Sequence, residues 1–234
     1  MNILAVIHGD NVRAGVFADA IAERGDELEE WSTAWGTPPP RPLDDYGAVM
    51  VFGGAMHADQ DEHHPWLLQE NLVLQRLIHL QTPVLGVCLG AQLLAKAAHA
   101  DVGPADEAEI GWFPVELTRE ARDDPVLGGL PERFDAFQWH YYTYGVPAGG
   151  VELARSPCCT QAFRLGERAW AIQFHAEVTE AQIRSWVDEE EPAVPGGAEA
   201  LLAETRERIG EWNELGRKLC SSFLEVADRV TAPA

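Results

Sequence analysis

Basic residues are scarce in this chain. Seventeen lysines and arginines stand against 38 aspartates and glutamates, and only Lys96 and Lys218 are lysine. The formal charge of −21 repels phosphate backbones, which excludes nucleic-acid binding through a general basic surface and argues against anionic membranes. Neither lysine follows the glycine-rich pattern of a phosphate-binding P-loop, and no G-x-G-x-x-G dinucleotide fingerprint occurs, so there is no recognisable ATP site. Long apolar runs are missing too: nothing approaches the roughly 18 consecutive apolar residues of a membrane span. The segment Met1-Asn2-Ile3-Leu4-Ala5-Val6-Ile7 carries no basic residue and breaks at His8-Gly9-Asp10, unlike a secretory signal. Cysteine occurs at four positions without zinc-ligand spacing, which suits reduced thiols in a soluble, cytoplasmic protein.

What is present is ordinary globular material. With 46% hydrophobic residues over 234 positions, the chain has enough apolar side chains for a core that needs no staples. The apolar runs Ile3–Ile7, Ala48–Phe52 and Val84–Val87 lack alternation, as strands buried on both faces do. Helical spacing occupies Asn11–Arg24, the stretch after Pro65 and Leu89–Ala98. Strand alternating with helix predicts an α/β fold with a doubly wound, mostly parallel sheet. From Trp112 to Phe174 the pattern changes to short strands at Trp112–Leu117, Phe134–Trp139, Val151–Ala154, Gln161–Arg164 and Trp170–Phe174. These predict an antiparallel extension whose last strand rejoins the main sheet. Helices follow at Gln182–Asp188 and Glu199–Arg229, flanking the loop 191–197. The last carries an apolar stripe through Leu201, Ile209, Trp212, Leu219, Phe223 and Val226 that is expected to pack on its own domain, a partner subunit being the alternative. A single domain over 1–234 is expected, with 197–230 a C-terminal helical extension.

Chemistry concentrates at Gly86-Val87-Cys88-Leu89-Gly90-Ala91-Gln92, between a strand and a helix. A G-x-C-x-G turn has the logic of a nucleophile elbow: flanking glycines permit a sharp turn that exposes the central side chain. Cys88 then stands at a helix amino terminus, where free N–H groups favour thiolate and can hold an oxyanion. A buried structural cysteine is the competing reading. A thiolate nucleophile needs a base, and the base an orienting group. His175 and Glu177 follow the strand ending at Phe174, and residues two apart in an extended chain point the same way. If that strand runs parallel to the one ending at Val87, Cys88 and His175 emerge at one sheet edge, where α/β sites gather.

The segment Gly86–Gln92 together with Gln173-Phe174-His175-Ala176-Glu177 resembles the class I glutamine amidotransferase family, whose triad is Cys-His-Glu. Phe52-Gly53-Gly54-Ala55-Met56 is similar to that family's oxyanion strand. Glu109–Thr118 and Gln138-Trp139-His140 are similar to segments of its stand-alone, GMP-synthase-like members. The resemblance covers roughly residues 45 to 180. It implies a flavodoxin-like fold, Cys88 as nucleophile, His175 as base and then acid, and Glu177 as its orienter. It further implies oxyanion donors at the Gly54 and Leu89 N–H groups, with Gln92, Trp139 and His140 around the substrate. The activity implied is release of ammonia from glutamine through a γ-glutamyl thioester. That chemistry requires no metal or organic cofactor.

Ala55 and Ala176 stand where the family usually has proline, and Tyr141-Tyr142 stand where a glycine and an aspartate are common. Hydrolysis of a γ-glutamyl peptide is therefore an alternative activity, and a non-catalytic scaffold of the same fold is the alternative from another class. Without an ATP site, a separate synthetase subunit would receive the ammonia. A homodimer is a further arrangement considered. The group His57, Asp59, Asp61, Glu62, His63 and His64 reads as a solvated loop rather than a metal site. His140 has no evident carboxylate partner, and the Cys158-Cys159 pair reads as packing.

Overall fold

The structure, a computed structural model, describes residues 1–190 and 194–231. Nine strands form one sheet. The first four are β1 (Asn2–Val6), β2 (Glu27–Trp31), β3 (Ala48–Val51) and β4 (Val84–Val87). The remaining five are β5 (Val102–Leu117), β6 (Arg133–Tyr144), β7 (Gly150–Arg155), β8 (Thr160–Leu165) and β9 (Ala169–Ile172). Their order is β2-β1-β3-β4-β9-β8-β7-β5-β6. The first five in that order are parallel, and the contacts from β9 through β8, β7 and β5 to β6 are antiparallel. The parallel part thus has the flavodoxin-like 2-1-3-4-5 order, with the antiparallel strands extending it beyond β9.

The central strands are apolar on both sides because both faces are covered. Ile3 and Ala5 of β1 enter one core layer, shared with Phe17, Ile21 and Phe223, while Leu4 and Val6 enter the other, with Leu67, Leu74 and Leu93. Helices α2 (Trp66–Leu80) and α3 (Leu89–Ala97) supply the second layer. Helix α1 (Val16–Glu23) and the long C-terminal helix α5 (Ala198–Thr231) supply the first, with α4 (Glu180–Glu190) beside them. The α5 stripe is buried at Leu201, Ile209, Trp212, Leu219, Phe223 and Val226 and packs within the chain. Among the described residues no helix is long and apolar enough to cross a membrane.

Three elements depart from the sequence expectation. Strand β2 was not expected: its Glu-Leu-Glu-Glu-Trp is polar because it is the sheet edge, with only Trp31 buried. Helix α1 begins at Val16, since Asn11–Ala14 form turns and Gly15 takes φ 48. Strands β5 and β6 run well past the expected limits. Their outer halves form an exposed ribbon, where the absence of a buried face removes the alternation that marks a strand. The expected loop 191–197 lies partly outside the described residues.

Parallel strands share a carboxyl edge. Here β1 delivers His8 to that edge, β3 delivers Gly53-Gly54, β4 delivers Cys88 and β9 delivers the segment from Gln173 to Glu177. The pairing Val87↔Ile172 and a bond from Cys88 N–H to the Ile172 carbonyl (2.9 Å) fix the last two against each other.

Candidate active site

Cys88 sits between β4 and α3 at φ 52 and ψ −108, a conformation that strains any residue with a Cβ. The chain can turn this sharply because its flanks lack side chains. A Cβ on Gly90 would lie 2.0 Å from the Val51 carbonyl oxygen, and one on Gly86 would lie 2.6 Å from that of Gly90. The turn leaves Leu89 as the first residue of α3, where first-turn N–H groups have no intrahelical acceptor. Cys88 is 6% exposed and lines a cleft; its sulfur lies 3.8 Å from the Trp139 carbonyl oxygen.

His175 and Glu177 are both buried, and His175 Nδ1 lies 2.7 Å from Glu177 Oε1. They do not meet in strand register, because β9 ends at Ile172. The loop beyond it is clamped from several sides. His175 N–H bonds to the Phe137 carbonyl (2.9 Å), and Val16 N–H bonds to the Glu177 carbonyl (2.8 Å). Trp212 Nε1 donates to the His175 carbonyl (2.8 Å), and Asn213 Nδ2 donates to that of Val178 (2.8 Å). Gly216 admits the Ala176 carbonyl, which would lie 2.0 Å from a Cβ there. Helix α5 thus fixes the turn that carries alanine where relatives usually have proline. Trp186 packs its ring against the His175 imidazole, with centroids 4.8 Å apart. Nothing in the sequence distinguished Trp186, Trp212 or Asn213 as neighbours of the site, because their roles exist only after the helices dock.

Burial alone would lower the His175 pKa. The negative charge of Glu177, the Cys88 sulfur and hydrogen bonds to both outweigh it and raise the value to about 10. The ring is therefore held in its cationic form near neutrality between a carboxylate and a sulfur. Among the described residues, the other Glu177 oxygen is buried with no hydrogen-bond partner.

The remaining expected site residues surround this cluster. Gly54, Trp139 and Cys88 line the cleft on both sides of the sulfur. One side continues toward Asn11, Trp186 and Glu189, the other toward His57, Gln92, His140 and Tyr141. Gln92 is buried, and its Nε2 donates to the Tyr142 carbonyl (3.0 Å), so its side chain supports the loop behind the cleft. His140 differs from the expectation, for it does have a carboxylate: its Nε2 lies 3.0 Å from Glu109 Oε2, delivered by the facing strand. Its Nδ1 is 3.1 Å from the Tyr142 carbonyl, so both ring nitrogens are engaged away from the sulfur. His57 stacks on Tyr142 with centroids 4.0 Å apart, and Asp61 pairs with Lys96 at 2.6 Å. Cys158 and Cys159 are free thiols beside Glu109, with ligand atoms of all three within 4.8 Å of one another. Burial, with the Glu109 charge among the lesser causes, pushes Cys159 up to about 12.

A cysteine on a strained strand-to-helix turn, facing a histidine–carboxylate pair at the carboxyl edge of a parallel sheet, defines the class of α/β enzymes built on a nucleophile elbow. A sequence model of "Glutamine amidotransferase class-I" matches residues 18–186. The chain belongs to the class I glutamine amidotransferase family, whose members are cysteine-dependent amidotransferases. The fold is similar to a glutamine amidotransferase from Thermotoga maritima, with TM-score 0.88 and 28% identity over 96% of this chain and 98% of that one. A glutamine amidotransferase from Methylobacillus flagellatus is similar at TM-score 0.86 and 26% identity, covering 96% and 94% of the two chains. Among curated relatives, the glutamine amidotransferase-like protein YfeJ of Salmonella typhimurium is 25% identical over 94% of both chains. The GMP synthase of Aeropyrum pernix is 32% identical over 72% of this chain, which spans only 32% of that protein's length.

Proposed function

We propose that this protein hydrolyses the side-chain amide of glutamine with Cys88, His175 and Glu177 as its triad. The observation that carries the reading is the 2.7 Å His175–Glu177 pair, whose ring is charged against the Cys88 sulfur at the strained elbow. The sulfur of Cys88 attacks the amide carbon, and the carbonyl oxygen becomes an oxyanion received by the N–H groups of Gly54 and Leu89. His175 passes its proton to the departing nitrogen, so ammonia leaves and a γ-glutamyl thioester remains on Cys88. His175 then takes a proton from water; the hydroxide adds to the thioester carbon, and glutamate leaves as the sulfur recovers its proton. Glu177 holds the ring in orientation and offsets its charge throughout. Trp139 and His140 shape the cleft, and Gln92 keeps the Tyr142 loop in place against it.

The chain works in this reading as one domain, with 197–230 as a helical extension that clamps the His175 loop. Ammonia passes to a separate synthetase subunit, as the similarity to the glutaminase portion of GMP synthases supports. A second substrate class, γ-glutamyl peptides, is favoured by one observation: the cleft continues on both sides of Cys88, past Tyr141, which is 39% exposed. Incubation with 6-diazo-5-oxonorleucine followed by peptide mass spectrometry tests the proposal. An adduct on Cys88, absent from Cys88→Ala, is expected, with ammonia release from glutamine lost in the same variant. An unlabelled Cys88, or a Cys88→Ala protein that still releases ammonia, would overturn it.

A further inference from the structure

Immediately behind the Gly53-Gly54 turn lies a second buried histidine–carboxylate pair that the reaction above does not use. His8, at the end of β1, has a fully buried side chain. Its Nε2 meets both oxygens of Glu70 at 2.9 and 3.1 Å, and its Nδ1 lies 2.9 Å from the Gly53 carbonyl oxygen. Thr33 Oγ1 donates to Glu70 Oε2 (2.9 Å), and Trp66 stacks on the imidazole with centroids 5.6 Å apart. Glu70 stands in the middle of α2 yet is only 1% exposed, which has no structural explanation other than this pair.

The direction of the Gly53 carbonyl matters because a trans peptide points its C=O and the following N–H to opposite sides. With the Gly53 oxygen drawn toward His8, the Gly54 N–H faces away from His8, into the cleft that Gly54 shares with Cys88. The same turn touches the triad from the other side. A Cβ on Gly53 would lie 3.0 Å from His175 Cε1 and 3.6 Å from Cys88 Cβ. Two consecutive glycines leave this peptide free to rotate, and rotation would withdraw the N–H from the oxyanion. Both His8 nitrogens face oxygen acceptors, a demand that the doubly protonated ring meets. Burial opposes that form, but the Glu70 charge and the bonds to Glu70 and Gly53 outweigh it, and the His8 pKa is raised.

We propose that His8 and Glu70 are positioning residues that lock the Gly53–Gly54 peptide with its N–H aimed at the oxyanion. The proposal rests on the amide-hydrolysis reading for its catalytic consequence, whereas the lock itself is a statement about the peptide. The test compares His8→Leu, which removes the donor, with His8→Asn, which puts an amide N–H where Nδ1 stands, and with Glu70→Gln. For His8→Leu, kcat for glutamine is expected to fall about 10²–10³-fold, the loss typical of one oxyanion donor, with KM changed less than about threefold. Alkylation of Cys88 by iodoacetamide, which displaces iodide at a saturated carbon and forms no oxyanion, is expected to stay within about threefold of the unmodified protein. His8→Asn should recover at least about tenfold of the lost kcat, and Glu70→Gln should lose about tenfold. A crystal structure of His8→Leu should have the Gly53–Gly54 peptide rotated. Retention of kcat within about threefold in His8→Leu, or a peptide left unrotated there, would overturn the proposal. If His8→Leu does not fold, Glu70→Gln and His8→Asn give the same comparison: unchanged kcat in Glu70→Gln, or no activity in a folded His8→Asn, overturns it. If the unmodified protein releases no ammonia while the peptide rotates in His8→Leu, the amide-hydrolysis reading falls and the lock stands.

Discussion

Replacing Glu177 by glutamine isolates the electrostatics of the site, because size and one hydrogen-bonding oxygen are kept while the charge is removed. In the native protein burial lowers the His175 pKa, and the Glu177 charge is the largest opposing influence, the balance standing at about 10. Without that charge, burial is opposed mainly by the Cys88 sulfur, and the pKa should fall by several units, each worth about 1.36 kcal/mol between the two protonation states. Removing one partner of a buried ion pair costs about 3–5 kcal/mol, which sets the scale of the stability loss at neutral pH. The sign with pH follows from the raised folded-state value. The His175 contribution is fully present below its unfolded pKa of 6.5 and is lost as pH rises through about 10. Urea unfolding of the native and Glu177→Gln proteins at pH 6, 8 and 10.5 should therefore give a deficit that narrows across that interval. Titration of the His175 ring by NMR should give a midpoint near 10 in one and several units lower in the other. Activity should fall about 10²–10⁴-fold, as when an orienting carboxylate is neutralised in a triad. A native midpoint near 6.5, or a stability deficit that is constant to pH 10.5, would refute this account of the pair.

Other outcomes follow from the local geometry. Cys88→Gly should be inactive yet more stable by about 1 kcal/mol, raising Tm by about 2–4 °C, because it removes the only side chain held at the strained elbow conformation. Gly90→Ala drives a Cβ to 2.0 Å from the Val51 carbonyl and should lose more than about 3 kcal/mol, read by denaturant melt. Asn213→Ala leaves the Val178 carbonyl without its side-chain donor and should cost about 1–3 kcal/mol. Its kcat should fall more than its KM rises, since the loop it holds carries His175 and Glu177 rather than the walls of the cleft.

How much of this could be read in advance depended on where the determining interaction lies. The elbow was legible because everything it needs is local: two glycines to admit backbone at 2.0–2.6 Å and a side chain between them at positive φ. The parallel core was legible in its uninterrupted apolar strands, which state that both faces are covered. Strand β2 was not, since an edge strand with one buried residue has the composition of a loop. The pairing of His175 with Glu177 was anticipated for a reason that does not hold. Their spacing fits an extended chain, but β9 stops at Ile172, and the two side chains meet because Trp212, Asn213 and Gly216 of α5 clamp a tight loop. The helix was recognised from its stripe, but a stripe reports only that one face is buried, not which carbonyls its polar edge will receive. The Glu109–His140 bond and the His8–Glu70 pair escaped for the same physical reason. Each joins segments 31 and 62 residues apart, and a carboxylate on a helix or strand looks solvated until the partner strand arrives to neutralise it. Residues that make bonds appear in the sequence as motifs, whereas residues that aim those motifs appear only as ordinary members of their elements. A site of this kind therefore has to be tested at its supports, His8, Glu70, Trp212 and Asn213, as well as at its triad.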